Sequence, residues 1–196
     1  MPMLMVLALA AQTATLEADP REAAFTCGAA VRTLPDSLNL ANSTVGMWFA
    51  MKAATLDPTE GMLLQKIGPA MQTVMKRVED VRDDRDALIA QCRRRFPLAW
   101  KTSGVELPAG EYERRTGCAF NTIAYSALAK SQEGGKYGAQ AESLADRLTT
   151  LLDDDELLAH GGDLGAQGEA SRLMTAGLDL GNLRGIAAAC AAAFPA

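Results

Sequence analysis

Apolar residues recur at helical spacing along most of the chain. Between Met71 and Cys92 they are separated by three, four or seven positions, which is typical of one buried helix face. Residues 44–51, "TVGMWFAM", carry no charge on any face, which predicts a helix buried nearly all round. Few residues are β-branched, while alanine is abundant. The pattern predicts an all-α fold.

Capping and breaking residues set the expected helix boundaries. A helix should start at Pro20 and end near Thr33, and a second should cover 42–56, capped by one of residues 42–44. Asp57 is a candidate cap for a third helix, with a break or kink at residues 68–69 and a continuation through Cys92. The other predicted helices span 111–130, 137–159 and 169–193.

One short segment occurs twice. Residues 92–97 read "CRRRFP" and residues 190–195 read "CAAAFP", and each half of the chain has a further cysteine near its start, Cys27 and Cys118. Between the halves lies a stretch rich in proline and glycine without helical periodicity. We therefore expect two tandem degenerate helical-bundle units, 11–97 and 111–196, joined by a linker at 98–110.

The four cysteines have no C-x-x-C spacing, so the sequence does not support a zinc or thioredoxin-like site. In an oxidising compartment they would form two disulfides, and three pairings are open from sequence alone. A duplicated unit would favour Cys27 with Cys92 and Cys118 with Cys190, because each unit would then carry its own cross-link.

The N-terminal stretch is strongly apolar. Residues 3–10 are uncharged and end in a small-x-small pattern, which predicts a signal peptide over residues 1–10. This stretch lacks a Lys or Arg, and the alternative is an apolar helix that docks on the core. It is too short to span a bilayer, and no other charge-free run approaches that length. The expected location is periplasmic or secreted.

Composition excludes some partners. Acidic residues outnumber basic ones by 24 to 19, the net charge is −5, and aromatic residues make up 5% of the chain. Nucleic-acid binding depends on Lys and Arg at phosphates and on aromatic stacking, so we expect no nucleic-acid partner.

Catalytic patterns are scarce. The single histidine, His160, lies beside two glycines, where histidine commonly caps a helix end. The acidic run at residues 153–156 points in several directions around a helix, so we expect a solvated turn and not a calcium site. No nucleotide loop, metalloprotease motif or nucleophile elbow is present, and no cofactor is predicted. An enzyme, if any, would work through paired carboxylates.

Methionine is the first candidate for ligand chemistry. Met47 and Met51 form one i,i+4 pair, and Met71 and Met75 form another. Thioethers are soft ligands that can hold Cu(I), so these four residues are the candidate metal ligands. The alternative is that they fill gaps in the core.

Small residues recur every four positions in the last predicted helix, as Gly177, Gly181, Gly185, Ala189 and Ala193. Glycine inside a helix costs about 1 kcal/mol relative to alanine. We therefore expect this row to contact the other unit, a protein partner or a second copy of the chain. The alternative is a weak and poorly packed helix.

The leading functional hypothesis is an exported protein with a non-enzymatic binding or interaction role. One alternative is copper or small apolar ligand binding through the Met/Trp/Phe-rich helix. The other is a carboxylate-based enzyme.

Overall fold

The computed structural model describes residues 14–132 and 136–195, with the side chains of 136 and 137 left out. Helices account for most of this part of the chain, and no strand occurs in it. The prediction of an all-α fold is confirmed. The helices are α1 Pro20–Arg32, α2 Leu40–Thr55, α3 Leu63–Lys76, α4 Arg85–Arg95, α5 Glu111–Lys130, α6 Lys136–Thr149, α7 Asp154–Gly161, α8 Gly165–Gly177 and α9 Leu183–Ala193, with short 3-10 turns at Pro97–Trp100 and Gly162–Leu164.

Side-chain caps start several of these helices. Asp19 accepts hydrogen bonds from the amides of Arg21 and Glu22, and Pro20 occupies the first position of α1. Asn39 caps α2 by accepting from the Asn42 amide at 2.8 Å. Such caps satisfy amide groups that have no partner within the helix, which explains why these helices begin where they do.

Each half of the molecule is built around one central helix. In the first half α1 packs against α2, α3 and α4, and its residues from Ala23 to Val31 are buried. In the second half α5 packs against α6, α8 and α9. As predicted, α2 is buried along nearly its whole length, including Trp48, Phe49 and Met51.

Both halves contribute to the main hydrophobic core. Met174, Leu178 and Leu183 from the second half pack with the buried residues of α1 and α2. The Trp48 Nε1 atom donates a hydrogen bond to the Leu178 carbonyl oxygen at 3.2 Å, with both groups buried. The halves are therefore held together by apolar burial and by this hydrogen bond.

Two disulfides link the helices, Cys27–Cys92 between α1 and α4 and Cys118–Cys190 between α5 and α9. This is the pairing that a duplicated unit would favour. Each closes a long loop, with sequence separations of 65 and 72 residues. In the chain-entropy account, loops of this length give about 4 kcal/mol of stabilisation each.

The two Cys-x-x-x-Phe-Pro segments adopt the same local geometry. α4 and α9 both contain 11 residues, and the cysteine is the eighth residue in each. Phe96 and Phe194 end these helices with φ near −129° and −126°, and each donates its amide to the preceding cysteine carbonyl at 2.8 and 2.9 Å. The motif is thus a helix terminus next to a cross-link.

Three predicted helices are interrupted. The stretch through Cys92 is broken at residues 77–84, the one over 137–159 at 150–153, and the one over 169–193 at 178–182. In the last two cases a new N-cap intervenes: Asp153 accepts from the Glu156 amide at 2.9 Å, and Asn182 accepts from the Gly185 amide at 3.0 Å. An Asx cap inside a periodic pattern restarts the helix, so these predictions were wrong.

The start of α3 also differs from the prediction. α3 begins at Leu63, and Asp57 caps no helix. The Asp57 carboxylate accepts from the Thr59 amide at 2.9 Å and pairs with Arg21, which holds residues 57–59 in a turn. Pro69 lies inside α3 without ending it.

The segment 98–110 is packed against both halves. Ala99 is fully buried, and the Trp100 ring lies 5.4 Å from that of Phe49. Asn182 is also fully buried. Its side-chain Nδ2 donates to the Ala99 carbonyl at 2.9 Å, and its backbone N–H donates to the Lys101 carbonyl at 3.3 Å. This connection is therefore a structural layer between α2 and α9.

No helix in the described part of the chain is both long and apolar enough to cross a membrane. The predicted signal peptide, residues 1–10, lies outside the described residues. The first described residues run beside α4, where Gln91 donates its Nε2 to the Ala14 carbonyl at 2.7 Å and accepts from the Leu16 amide at 3.1 Å.

Candidate binding site

An apolar cleft lies where α2 and α3 of the first half meet α5 and α8 of the second. Its volume is about 330 Å³, and we call it the methionine cleft. The lining residues are Met47, Met51, Leu64, Ile67, Ala124, Ala127, Leu128, Ser131 and Met174. Binding pockets in proteins commonly have volumes of roughly 300–1,000 Å³ and mostly apolar walls, so this cleft is of suitable size and chemistry.

The charge-free helix α2 explains the apolar wall of this cleft. Met47 and Met51 are one turn apart and therefore face the same side of α2. Met51 is almost completely buried at 1% exposure, whereas Met47 is half-buried. On the facing edge Leu64 is 46% exposed. The cleft thus presents flexible thioethers and an exposed leucine.

The two methionine pairs have different surroundings. Met47 and Met51 line the cleft together with Met174, which the sequence did not single out. Met71 is half-buried, Met75 is 48% exposed, and neither lines the cleft. Among the described residues no group of three His, Cys, Asp or Glu could hold a metal ion. Copper binding by thioethers stays a prediction, now centred on Met47 and Met51.

The row of small residues is divided between two helices and a turn. Gly177 ends α8, Gly181 lies in the turn and Gly185 belongs to α9. All three are buried, whereas Ala189 is half-buried and Ala193 is exposed. The expected continuous row on one helix is therefore wrong.

The segment 98–110 covers two of these glycines. A Cβ at Gly181 would lie 3.0 Å from the Lys101 carbonyl oxygen, and one at Gly185 would lie 2.5 Å from the same atom. The Val105 side chain lies next to both positions. Close approach of this chain's own backbone thus accounts for Gly181 and Gly185.

A second apolar groove, which we call the alanine groove, runs between α6 and α9. It is lined by alanines of both helices, including Ala187, Ala188 and Ala191, and by Arg147 and Arg184. A terminal nitrogen of Arg147 donates to the Phe194 carbonyl oxygen at 2.9 Å. The volume of the groove is about 570 Å³. This is the part of α9 that faces away from the segment 98–110.

Polar side chains meet at the junction of α5, α7 and α8. The His160 ring stacks on Tyr112, with ring centroids 3.9 Å apart. Glu169 is 1% exposed and accepts two hydrogen bonds from Arg172, at 2.8 Å from Nε and 2.5 Å from the terminal nitrogen. His160 was visible in the sequence but this arrangement was not, because Tyr112 is far from His160 along the chain and Glu169 lies on the next α-helix.

The charges in this junction are already paired. The two bonds from Arg172 outweigh burial and lower the pKa of Glu169, so its carboxyl group stays ionised. Burial, together with the Glu169 carboxylate, raises the pKa of Tyr112 to about 12. An ionised acid held by arginine and a neutral phenol form a structural contact, because a general acid or base would need a pKa closer to neutrality.

The acidic run at residues 153–156 lies at the start of α7. Asp153 is the cap, and residues 154–156 form the exposed first turn. Carboxylates are stabilised at a helix N-terminus by the helix dipole. This position agrees with the expectation of a solvated turn.

Comparison with protein-family models, curated proteins and solved structures finds no match to this chain.

Proposed function

We propose that this protein is an exported, non-enzymatic binding protein that holds a small apolar ligand in the methionine cleft. The observation that supports it most is the cleft itself, about 330 Å³ of mostly apolar wall between the two halves. Met47 and Met51 provide a surface that adapts to ligands of different shape, because thioether side chains are flexible and polarisable.

Burial of apolar surface supplies the binding free energy. At about 25 cal/mol per Å² of apolar surface, a ligand that buries roughly 200 Å² gains about 5 kcal/mol before the cost of immobilisation. The walls are set by helices that a shared core and two disulfides hold in place. Little ordering of the protein is needed, which favours binding.

Phenylnaphthylamine, a neutral dye that fluoresces in apolar surroundings, tests this proposal. We expect saturable fluorescence with the native protein. Ala127→Trp should weaken dye binding about tenfold or more, because Ala127 lines the cleft and an indole there covers it. Ala90→Trp places the same side chain at an exposed position of α4 and is the matched control. Equal dye binding by both variants would contradict the proposal.

Copper binding at the same cleft is the alternative, and two conservative substitutions separate it. Met47→Leu together with Met51→Leu keeps the wall apolar and removes two thioethers. If the cleft takes apolar ligands, dye binding persists in this double variant. If it takes Cu(I), anaerobic titration of the native protein gives a stoichiometric complex that the double variant loses.

Export is the second element of the proposal. Two disulfides are typical of proteins that mature in an oxidising compartment, periplasmic or secreted. Together with the apolar residues 1–10 they support cleavage of a signal peptide. Mass spectrometry of the mature protein should find an N-terminus near Ala11 and no free thiol. A full-length chain with four thiols would contradict export.

We further propose that the two halves arose by duplication. Cys27 and Cys118 are each the eighth residue of the central helices α1 and α5, and Cys92 and Cys190 are each the eighth residue of α4 and α9. These equal positions support units 11–97 and 111–196 derived from one ancestor. The halves nonetheless share a core, so we expect them to unfold together.

A protein partner at the alanine groove is the second candidate function. The groove combines close-packing alanines with Arg147 and Arg184, which suits a helix that carries acidic residues. Ala189 and Ala193 do not line this groove, so the proposed partner or self-association contact on α9 moves to Ala187, Ala188 and Ala191. Ala188→Glu should abolish such an interaction, as measured by sedimentation or pull-down, whereas Ala90→Glu on α4 should not.

A carboxylate-based enzyme has less support, because Glu169 is paired with Arg172.

A further inference from the structure

A smaller cavity lies in the second half, apart from the methionine cleft. Its volume is about 90 Å³, and it shares no lining residue with the cleft. It is enclosed by α5, α8, α9 and the segment 98–110, beside the Cys118–Cys190 disulfide. The apolar part of its wall comes from Leu107, Pro108, Leu173, Ala176, Leu180 and Ile186.

Asn121 of α5 supplies a polar group to this cavity. Its side chain is only 2% exposed, and its Nδ2 donates to the Gly117 carbonyl at 2.9 Å. This bond orients the amide, and the Oδ1 atom is left buried without a hydrogen-bond partner among the described residues. A buried carbonyl oxygen without a donor is unfavourable, so an occupant that donates a hydrogen bond would be stabilised there.

Two glycines make room around Asn121. A Cβ at Gly177 would lie 2.7 Å from the Asn121 Oδ1, so a larger residue would displace the amide. At Gly117, which also lines the cavity, a Cβ would meet no atom within 4 Å. A glycine inside a helix lowers stability, so open space at Gly117 indicates that packing does not require it.

We propose that this cavity binds a small amphiphile, an aliphatic group of about four carbons that carries a hydroxyl or amide N–H donor for Asn121 Oδ1. The size follows from the volume, because cavities of roughly 150 Å³ accept six-carbon rings. Glu113, Arg114 and Arg172 also line the cavity, but most of its wall surface is apolar. Water is therefore a weaker occupant, since a buried water makes about three hydrogen bonds.

Isobutanol and isobutyl chloride are suitable probes, because they have similar shape and only the alcohol is a donor. In an NMR titration of the native protein we expect isobutanol to shift the Asn121 side-chain amide and the Gly117 backbone amide. The ratio of alcohol affinity to chloride affinity should be about tenfold higher in the native protein than in Asn121→Leu, because only the native protein offers the buried acceptor. Comparing this ratio between the two proteins cancels the difference in hydration of the two probes.

Filling the cavity provides an independent test. Gly117→Leu places a side chain of matching size into the open space, and Gly117→Ala fills part of it. Both replace a helical glycine, so the melting temperature should be retained or raised while isobutanol binding is weakened by Ala and lost with Leu. Ala127→Trp in the methionine cleft should leave isobutanol binding unchanged, so failure of this site is distinguishable from failure of the cleft. Absence of isobutanol shifts in the native protein, or undiminished binding by Gly117→Leu, would overturn the proposal.

Discussion

Substitution of Gly185 by alanine tests how the segment 98–110 is held. In most helices this change is stabilising by about 1 kcal/mol. Here the new Cβ would lie 2.5 Å from the Lys101 carbonyl oxygen and 3.0 Å from the Thr102 Cα. Both are backbone atoms, so the contact cannot be relieved by rotating a side chain.

The expected cost follows from these contacts. Overpacking of a filled site costs about 1–3 kcal/mol. Displacing Lys101 also breaks the bond that its carbonyl accepts from the Asn182 amide, which is worth about 1 kcal/mol. After subtracting the gain in helix propensity, we expect a net destabilisation of about 2 kcal/mol. For a chain of this size the melting temperature should fall by about 4–8 °C.

Thermal unfolding followed by far-ultraviolet circular dichroism, with both disulfides intact, measures this effect. Near-ultraviolet dichroism should also change, because Trp100 lies in the displaced segment. Gly117→Ala is the matched control and should be at least as stable as the native protein, because open space surrounds that position. If Gly185→Ala is equally stabilising, the segment does not pack on α9 as described.

The other predictions concern the cross-links and the polar junction. Cys118→Ser with Cys190→Ser removes one disulfide and should lower the free energy of unfolding by about 4 kcal/mol in chemical denaturation; an unchanged midpoint would refute that. The raised pKa of Tyr112 means that the folded state keeps this phenol protonated, so its stabilising effect is complete below about pH 10 and is lost as the pH rises to about 12. Ultraviolet absorbance should show a late-titrating phenol whose contribution is missing in Tyr112→Phe. The pKa of Glu169 is lower in the folded protein than in the unfolded chain, where it is 4.5. The resulting stabilisation is therefore complete above pH 4.5 and is lost as the pH falls through the pKa of the folded state. Glu169→Gln should cost about 1–3 kcal/mol at neutral pH and flatten the acid dependence of the melting temperature, whereas unchanged acid dependence would argue against the pairing with Arg172.

Local signals predicted much of the helix arrangement. The bounds of α5 agree with the prediction of 111–130, and α2 is the buried helix that its charge-free pattern indicated. Both depend on properties of neighbouring residues, such as periodicity and the absence of charge, which are visible in the sequence. The interruption before α9 was missed because the Asn182 cap is stabilised by contacts with Ala99 and Lys101.

The candidate site was only partly visible for the same reason. Met47 and Met51 are one turn apart on α2, so their shared face follows from sequence spacing. Met174 and Ala127 join them from the other half of the chain, and nothing local indicates that approach. Likewise, the glycine row suggested a close neighbour, but only the fold identifies it as the segment 98–110. Long-range packing determines which surfaces meet.

NMR of protein with labelled methionine methyl groups, titrated with phenylnaphthylamine, tests the central proposal most directly. Met47, Met51 and Met174 line the cleft, while Met71 and Met75 on α3 lie outside it and are internal controls. If the cleft binds apolar ligands, the aromatic rings shift the methyl signals of the first three and leave those of Met71 and Met75 unchanged. Unchanged cleft signals at saturating dye, or shifts confined to Met71 and Met75, would contradict the proposal.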